Sequence, residues 1–185
     1  VTGNGISITK TTIRTVVDDA IRATGTLGLV QQCTVRSSST GNGIDIDGQS
    51  NAIEKCQVSH TADDAIRVAG FGNLVQKNIV RDIDASGIRA VGANSTQVRS
   101  NTVSDCTEIG IVVGGDDAVI DKNKVGDSGD VGIALGGDAF SITKNTVSGT
   151  QGGESGITVE AAPAGGTIEK NVVQDAGGRG IRVES

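Results

Sequence analysis

The chain contains no Trp, Tyr or Met, and only two Phe, one Pro and one His among its 185 residues. Without aromatic rings, its core has to be filled by Val, Ile, Leu and Ala, which suits narrow, stacked layers. The single proline, Pro163, leaves backbone N–H groups free to form long ladders. The lack of Trp and Tyr also argues against a carbohydrate site built on ring stacking.

Charge and hydropathy exclude further classes of protein. The formal net charge is −6, which argues against nucleic acid or an anionic membrane as the main partner, because both require basic patches. No run of about 18 apolar residues exists, so no transmembrane helix is predicted. The chain shows neither an initiator Met nor a signal peptide, and we interpret it as a fragment or processed piece of a longer protein.

A block of the form Gly-Ile-x-Val recurs about every 22 residues along the whole chain. A fixed period of this size is typical of a solenoid. The apolar residues pair at i and i+2, as in Ile44/Ile46 and Ile66/Val68, which is the period of a β-strand. The block begins at seven positions: Gly43, Ala65, Gly87, Gly110, Gly132, Gly156 and Gly180.

A second repeated element carries an asparagine or cysteine between two aliphatic residues. Examples are Val75…Asn78…Val80 and Val98…Asn101…Val103, and two neighbouring repeats place Cys33 and Cys56 at the asparagine position. Stacked asparagines can donate and accept hydrogen bonds from one coil to the next, and asparagine tolerates the left-handed backbone of a tight bend. The sequence therefore predicts one domain, residues 1–185, built of stacked coils with three short strands each.

These features resemble the right-handed parallel β-helix superfamily, which includes pectate lyases, polygalacturonases, alginate epimerases and the carbohydrate-binding and sugar-hydrolysis repeat proteins. The resemblance implies an all-β solenoid of about eight coils with roughly 22–24 residues per coil. The sequence shows no capping helix at either end, and open coil ends are unpaired strand edges. We therefore expect that copies of the chain could associate end to end.

The candidate site lies on the strand that follows each glycine or alanine. Its outward positions include Asp45, Arg67 and Arg89, and the preceding turn supplies Asp63 and Asp64, with His60 just upstream. An acid pair could act as general acid and base, and arginine could bind a sugar carboxylate through two hydrogen bonds. The alternative interpretation is a solvated ladder of opposite charges that satisfy one another.

The polygalacturonase pattern is matched only in part. Asp63 and Asp64 match the Asp-Asp pair of that family, but Ser86-Gly87-Ile88 stands where Gly-His-Gly is expected. An alginate epimerase pattern would need Tyr and an Asp-Pro-His cluster, whereas this chain has no Tyr and one His. The sequence therefore favours a noncatalytic structural or interaction module, with an enzyme acting on an acidic glycan as the alternative.

Two turns contain glycines followed by aspartates, which resemble calcium-binding repeats. Asp116, Asp117 and Asp138 are the candidate calcium ligands, because calcium favours clustered carboxylates and turn carbonyls. The other interpretation is that these carboxylates accept hydrogen bonds from nearby backbone N–H groups. No other cofactor is predicted.

The three cysteines lack the spacing of a zinc site. Cys33 and Cys56 should stack as neighbours about 4.8 Å apart, a spacing within the disulfide range, but their parallel Cβ directions favour two buried thiols over a bridge. Cys106 should be unpaired. With an acidic polysaccharide as the candidate partner, we expect the protein to be secreted or displayed at a cell surface.

Overall fold

The computed structural model describes residues 1–160 and 164–184, and the described residues form 24 short strands and no helix. The first eight strands are β1 (Ser7–Thr9), β2 (Thr12–Ile13), β3 (Ile21–Thr24), β4 (Leu29–Gln31), β5 (Thr34–Val35), β6 (Ile44–Asp47), β7 (Ala52–Glu54) and β8 (Gln57–Thr61). The next eight are β9 (Ile66–Ala69), β10 (Leu74–Gln76), β11 (Ile79–Ile83), β12 (Ile88–Val91), β13 (Gln97–Arg99), β14 (Thr102–Cys106), β15 (Ile111–Gly114) and β16 (Val119–Asp121). The last eight are β17 (Lys124–Ser128), β18 (Ile133–Gly136), β19 (Phe140–Thr143), β20 (Thr146–Ser148), β21 (Ile157–Glu160), β22 (Gly166–Glu169), β23 (Val172–Gln174) and β24 (Ile181–Val183).

Every third strand belongs to the same sheet, which gives three parallel sheets of eight strands each. Sheet 1 runs β1-β4-β7-β10-β13-β16-β19-β22, sheet 2 runs β2-β5-β8-β11-β14-β17-β20-β23, and sheet 3 runs β3-β6-β9-β12-β15-β18-β21-β24. In sheet 3, Ile44 pairs with Ile66, Ile66 with Ile88, and Ile88 with Ile111. The predicted coil with three strands is therefore confirmed, and like residues stack on like residues.

Aliphatic side chains fill the interior that the three sheets enclose. Ile66, Val75 and Val80 come one from each sheet of neighbouring coils, and all three are fully buried. Phe140 is also buried in this core, whereas Phe71 is 52% exposed.

The corner between sheets 1 and 2 carries a continuous run of hydrogen-bonded asparagines. The Nδ2 of Asn78 donates to the Oδ1 of Asn101 at 3.0 Å, and the same bond joins Asn101 to Asn123, Asn123 to Asn145 and Asn145 to Asn171. Each Oδ1 also accepts the backbone N–H of the preceding asparagine, as Asn101 does from Asn78. These bonds satisfy polar groups that are otherwise buried, so this corner can lie against the core.

All three cysteines are buried free thiols. Cys33 and Cys56 stand at the asparagine position of adjacent coils, and the sulfur of Cys56 lies 3.6 Å from the carbonyl oxygen of Val30 and 3.4 Å from that of Glu54, so its S–H can donate to either. The expected arrangement of two buried thiols rather than a bridge is what the structure contains. Among the described residues there is no helix that could cross a membrane.

Candidate functional site

The predicted outward column of sheet 3 has the expected register. Arg22 pairs with Asp45, Asp45 with Arg67, Arg67 with Arg89, and Arg89 with Val112. Neighbouring strands in a parallel sheet are about 4.8 Å apart, so charged side chains on successive strands can reach one another. The N-terminal half of this face is therefore a row of alternating and adjacent charges.

Asp45 lies between two arginines and is only 5% exposed. The Nη1 of Arg67 donates to Oδ1 of Asp45 at 2.8 Å, and the Nε of Arg22 lies 3.7 Å from Oδ2. Arg22 also lies 3.6 Å from the carboxylate of Asp19, in the preceding turn. The hydrogen bond with Asp45 is the main cause that raises the pKa of Arg67.

Asp64 is the second buried carboxylate of this face, with 3% exposure. Its Oδ2 accepts from the Nε of Arg89 at 2.8 Å, and its Oδ1 accepts from the backbone N–H of Ser86 at 3.2 Å. Burial raises the pKa of the Asp64 carboxyl, even though the guanidinium of Arg89 acts in the opposite direction. The carboxylate is thus costly to ionise and is held on both oxygens.

Two further side chains join this group, and the sequence analysis missed both. The Nη2 of Arg89 donates to Oγ of Ser86 at 2.8 Å and to Oε2 of Glu108 at 3.2 Å. The hydroxyl of Ser86 donates in turn to Glu108. The sequence does contain a signal for them. Ser86 and Glu108 lie in the turns before sheet 3 strands, at the positions that Asp64 and Asp63 occupy in another coil. We call Asp45, Asp64, Arg67, Arg89, Ser86 and Glu108 the Asp/Arg lattice.

The other two candidates lie at the edge of this lattice or away from it. Asp63 is exposed, and its Oδ1 accepts the backbone N–H of Asp64 at 3.0 Å. His60 belongs to β8 of sheet 2, where its Nε2 lies 4.0 Å from Asp82. Within residues 1–160 and 164–184, no hydrogen bond or ion pair connects His60 to Asp45, Asp63 or Asp64.

The candidate calcium ligands stand in stacked turns between sheets 3 and 1. Oδ1 of Asp116 accepts the backbone N–H of Asp138 at 2.9 Å, and Oδ1 of Asp138 accepts that of Ala164 at 2.7 Å. Asp117 is exposed and has a left-handed backbone with φ of 55°. In the part of the chain that the structure describes, no three His, Cys, Asp or Glu side chains are grouped so that they could hold a metal ion. The carboxylates of Asp116 and Asp138 each accept a backbone N–H of the next coil.

The C-terminal half of sheet 3 offers little accessible surface along the same column. Ala134 and Thr158 point outward by register, yet they are only 2% and 4% exposed. The column is exposed again only at its end, where Arg182 pairs with Thr158 and forms an ion pair with Glu184 at 2.6 Å. In the N-terminal half, the ion pairs of the Asp/Arg lattice fix the side chains of this face. Each oxygen of its two buried carboxylates, Asp45 and Asp64, already has a donor nearby.

Residues 42–185 match the family described as the right handed beta helix region, and the chain therefore belongs to this family. A search of curated protein sequences gave no significant match. The fold is also similar to solved structures, of which three are described next.

The A-module of the mannuronan C-5 epimerase AlgE4 from Azotobacter vinelandii superimposes with a TM-score of 0.85 at 11% identity, over 98% of this chain and 56% of that one. The periplasmic alginate epimerase AlgG gives 0.71 at 12% identity, over 98% and 48%. The catalytic domain of Agl-KA gives 0.67 at 10% identity, over 97% and 42%. The chain thus spans about half the length of these structures, and the likeness shows a common fold.

Proposed function

We propose that this chain is a noncatalytic interaction module of a secreted or surface protein, and that its partner is an acidic polysaccharide. The observation that carries the proposal is that the two buried carboxylates of the Asp/Arg lattice are already paired with arginines. A general acid or base must lie within hydrogen-bond reach of the proton it transfers. Asp45 and Asp64 are instead buried and paired with Arg67 and Arg89.

The choice of partner is supported by the similar structures. Two of the three are named as epimerases of mannuronan or alginate, and one of these is described as periplasmic. Acidic polysaccharides occur outside the cytoplasm, which agrees with a secreted or surface-displayed module. The rigid stack of 24 strands suits a protein that presents a long, regular surface to such a polymer.

The test is to incubate the chain with mannuronan and with polygalacturonate and to follow both polymers by proton NMR. We expect no epimerised residue, no unsaturated end and no shortening of either polymer. Calorimetry with the same polymers should detect binding, and neutral dextran is the control that should not bind. Turnover of either polymer would overturn the noncatalytic part of the proposal, and absence of binding to both would overturn the choice of partner.

The second candidate is an enzyme that acts on an acidic glycan through Asp64. The observation in its favour is that burial raises the pKa of the Asp64 carboxyl, as is needed for a general acid near neutral pH. The exposed carboxylate of Asp63 lies next to it in the chain. This candidate requires turnover in the NMR assay that Asp64→Asn abolishes and Asp84→Asn, at an exposed position outside the lattice, leaves unchanged.

A further inference from the structure

The lysines of this chain are concentrated at one position of the coil. Seven lysines occur in the sequence, and six of them directly precede the residue at the asparagine position of their coil: Lys10, Lys55, Lys77, Lys122, Lys144 and Lys170. The other two coils have Gln32 and Ser100 there. The position lies at the corner between sheets 1 and 2, far in sequence from each member of the Asp/Arg lattice in the same coil.

Backbone hydrogen bonds fix these residues in one row. The N–H of Lys55 donates to the carbonyl of Gln76, the residue before Lys77, and the N–H of Lys122 donates to Thr143, the residue before Lys144. With about 4.8 Å between coils, the row from the first to the eighth coil is on the order of 34 Å long. All six lysines are exposed. We call this row the lysine edge.

The backbone does not explain the choice of lysine. All eight residues at this position have a left-handed backbone, with φ between 51° and 57°. Asparagine, aspartate and glycine tolerate this conformation best. A second recurring left-handed position, within the strands of sheet 2, indeed has Asp82 in β11, Asp105 in β14 and Asp127 in β17. The recurrence of lysine at the corner between sheets 1 and 2 therefore indicates that its charge has a role.

The charge of the lysine edge is only partly neutralised within the chain. Lys122 lies 3.7 Å from Asp121, and Lys170 lies 3.9 Å from Glu169. Among the described residues, no carboxylate lies within 4.0 Å of the ammonium groups of the other four lysines of the edge. The carboxylate of Glu54, beside Lys55, instead accepts hydrogen bonds from the side chains of Gln31 and Gln76.

The coil in the middle of the row, which has Ser100 in place of a lysine, supplies another cation. Arg99 precedes Ser100, and its Nε is buried without a hydrogen-bond partner among the described residues. Like charges on adjacent strands repel, so two runs of neighbouring lysines cost stability in the free protein. A bound polyanion would remove this repulsion along the whole row.

We propose that the lysine edge binds an extended anionic polysaccharide that runs parallel to the axis of the solenoid. This inference rests on the proposed function for the class of polymer and adds the surface that binds it. The row is a single side chain wide, so it matches one linear chain that has an acidic group on each sugar. Lysines in neighbouring coils are about 4.8 Å apart, so an extended polymer with closely spaced carboxylates can pair with several ammonium groups at once.

Other polyanions fit the edge less well. Neither phenylalanine adjoins the lysine edge in sequence, so the edge lacks the rings on which single-stranded nucleic acid would stack its bases. A flat anionic membrane would also meet Glu54, Asp121 and Glu169, which flank the lysines and would repel it.

The experiment compares three forms of the chain by calorimetry with mannuronan, polygalacturonate and dextran sulfate. The variant Lys55→Gln/Lys77→Gln/Lys122→Gln/Lys144→Gln removes four charges from the edge, and the same four changed to Arg keep them. The matched control is Arg14→Gln/Arg36→Gln/Arg81→Gln/Arg179→Gln, which removes four exposed charges elsewhere. Thermal unfolding of all variants verifies that they are folded.

We expect the lysine-to-glutamine variant to bind about tenfold or more weakly, because each exposed ion pair contributes a fraction of the total affinity. The lysine-to-arginine variant should bind like the parent, and the control should change less than the lysine-to-glutamine variant. Added salt should weaken the binding of the parent. Binding of dextran sulfate alone would overturn the carboxylated polymer as the ligand, because sulfated polymers would then fit the edge instead.

Equal loss in the control and in the lysine-to-glutamine variant would overturn the proposal, since net charge alone would then explain binding. Unchanged binding in the lysine-to-glutamine variant would also overturn it, while the proposed partner would stand. No binding by the parent to any polymer would overturn both. Self-association that only the lysine-to-glutamine variant loses, without polymer binding, would assign the edge to a second copy and overturn the polysaccharide.

Discussion

At the scale of single residues, buried polar groups are satisfied from one coil to the next. Asn101 accepts two hydrogen bonds from Asn78 and donates to Val75 and Asn123, at distances of 3.0 Å. The sequence predicts this column, because a period of about 22 residues places asparagines in register. It could not predict Ser86 and Glu108 in the Asp/Arg lattice, since their contacts depend on side-chain reach rather than on periodicity.

The asparagine column should be sensitive to truncation in its middle. We expect Asn101→Ala to lower the free energy of unfolding by about 2–4 kcal/mol, because it leaves buried donors and acceptors without partners. Urea unfolding measures the change. The control is Asn94→Ala, at an exposed turn residue that accepts one hydrogen bond from the backbone of Asp116, and it should cost less than about 1 kcal/mol. Equal losses in the two variants would contradict the role of the column.

The thiols should be inert in the folded protein. Burial raises the pKa of both Cys56 and Cys106 to about 12, so almost no thiolate exists at pH 8. We expect iodoacetamide to modify neither residue in native buffer and all three cysteines in urea, as measured by mass spectrometry. Rapid labelling of Cys56 or Cys106 in the native protein would contradict their burial.

The raised pKa of Asp64 predicts that the free energy of unfolding depends on pH. Its folded-state pKa is raised, so its contribution is fully present below the unfolded-state value near 3.9 and is lost as the pH rises through the folded-state value. We expect Asp64→Asn to become more stable relative to the parent as the pH rises through this window. Urea unfolding between pH 3 and pH 7 measures the difference. A difference that shifts toward the parent with rising pH would show that Arg89 outweighs burial.

At the scale of the strands, each coil depends on close approach to the next. Gly110 precedes β15, and a Cβ at this position would overlap the side chain of Val125 and lie 2.7 Å from the carbonyl oxygen of Gly132. The sequence shows that a small residue recurs before each sheet 3 strand, but it does not show which neighbour requires it. The structure identifies the sheet 2 valine of the next coil and the carbonyl of its glycine.

The equivalent glycines provide a matched pair for mutation. We expect Gly110→Ala to destabilise the protein by about 1–3 kcal/mol, because neighbouring atoms must move to admit the methyl group. Gly180 has the same position in the last coil, and among the described residues no atom beyond its chain neighbours lies within 4 Å of the point that a Cβ would occupy there. Gly180→Ala should therefore leave stability unchanged or slightly raised. Thermal unfolding compares the two. Equal losses would show that the glycines serve backbone conformation instead of packing.

At the scale of the whole molecule, the solenoid separates charges by corner. Lysines occupy the corner between sheets 1 and 2, aspartates such as Asp82 and Asp105 recur within the strands of sheet 2, and the Asp/Arg lattice lies on sheet 3. The fold followed from the period of Ile44, Ile66 and Ile88, because stacking is a property of spacing. The pairing and burial of Asp45 and Asp64 did not follow from the period, because they depend on how the arginine side chains pack against these carboxylates. End-to-end association stays a prediction, which light scattering over a range of concentrations can test.

The most direct test of the account is to map a uronate oligosaccharide onto the folded chain by backbone NMR. The account predicts shifts of the amide resonances of Lys55, Lys77, Lys122 and Lys144 during titration, with those of Arg67 and Arg89 unchanged. It also predicts that the oligosaccharide is recovered without chemical change. Shifts centred on Arg67 and Arg89, together with cleavage or epimerisation of the sugar, would contradict it.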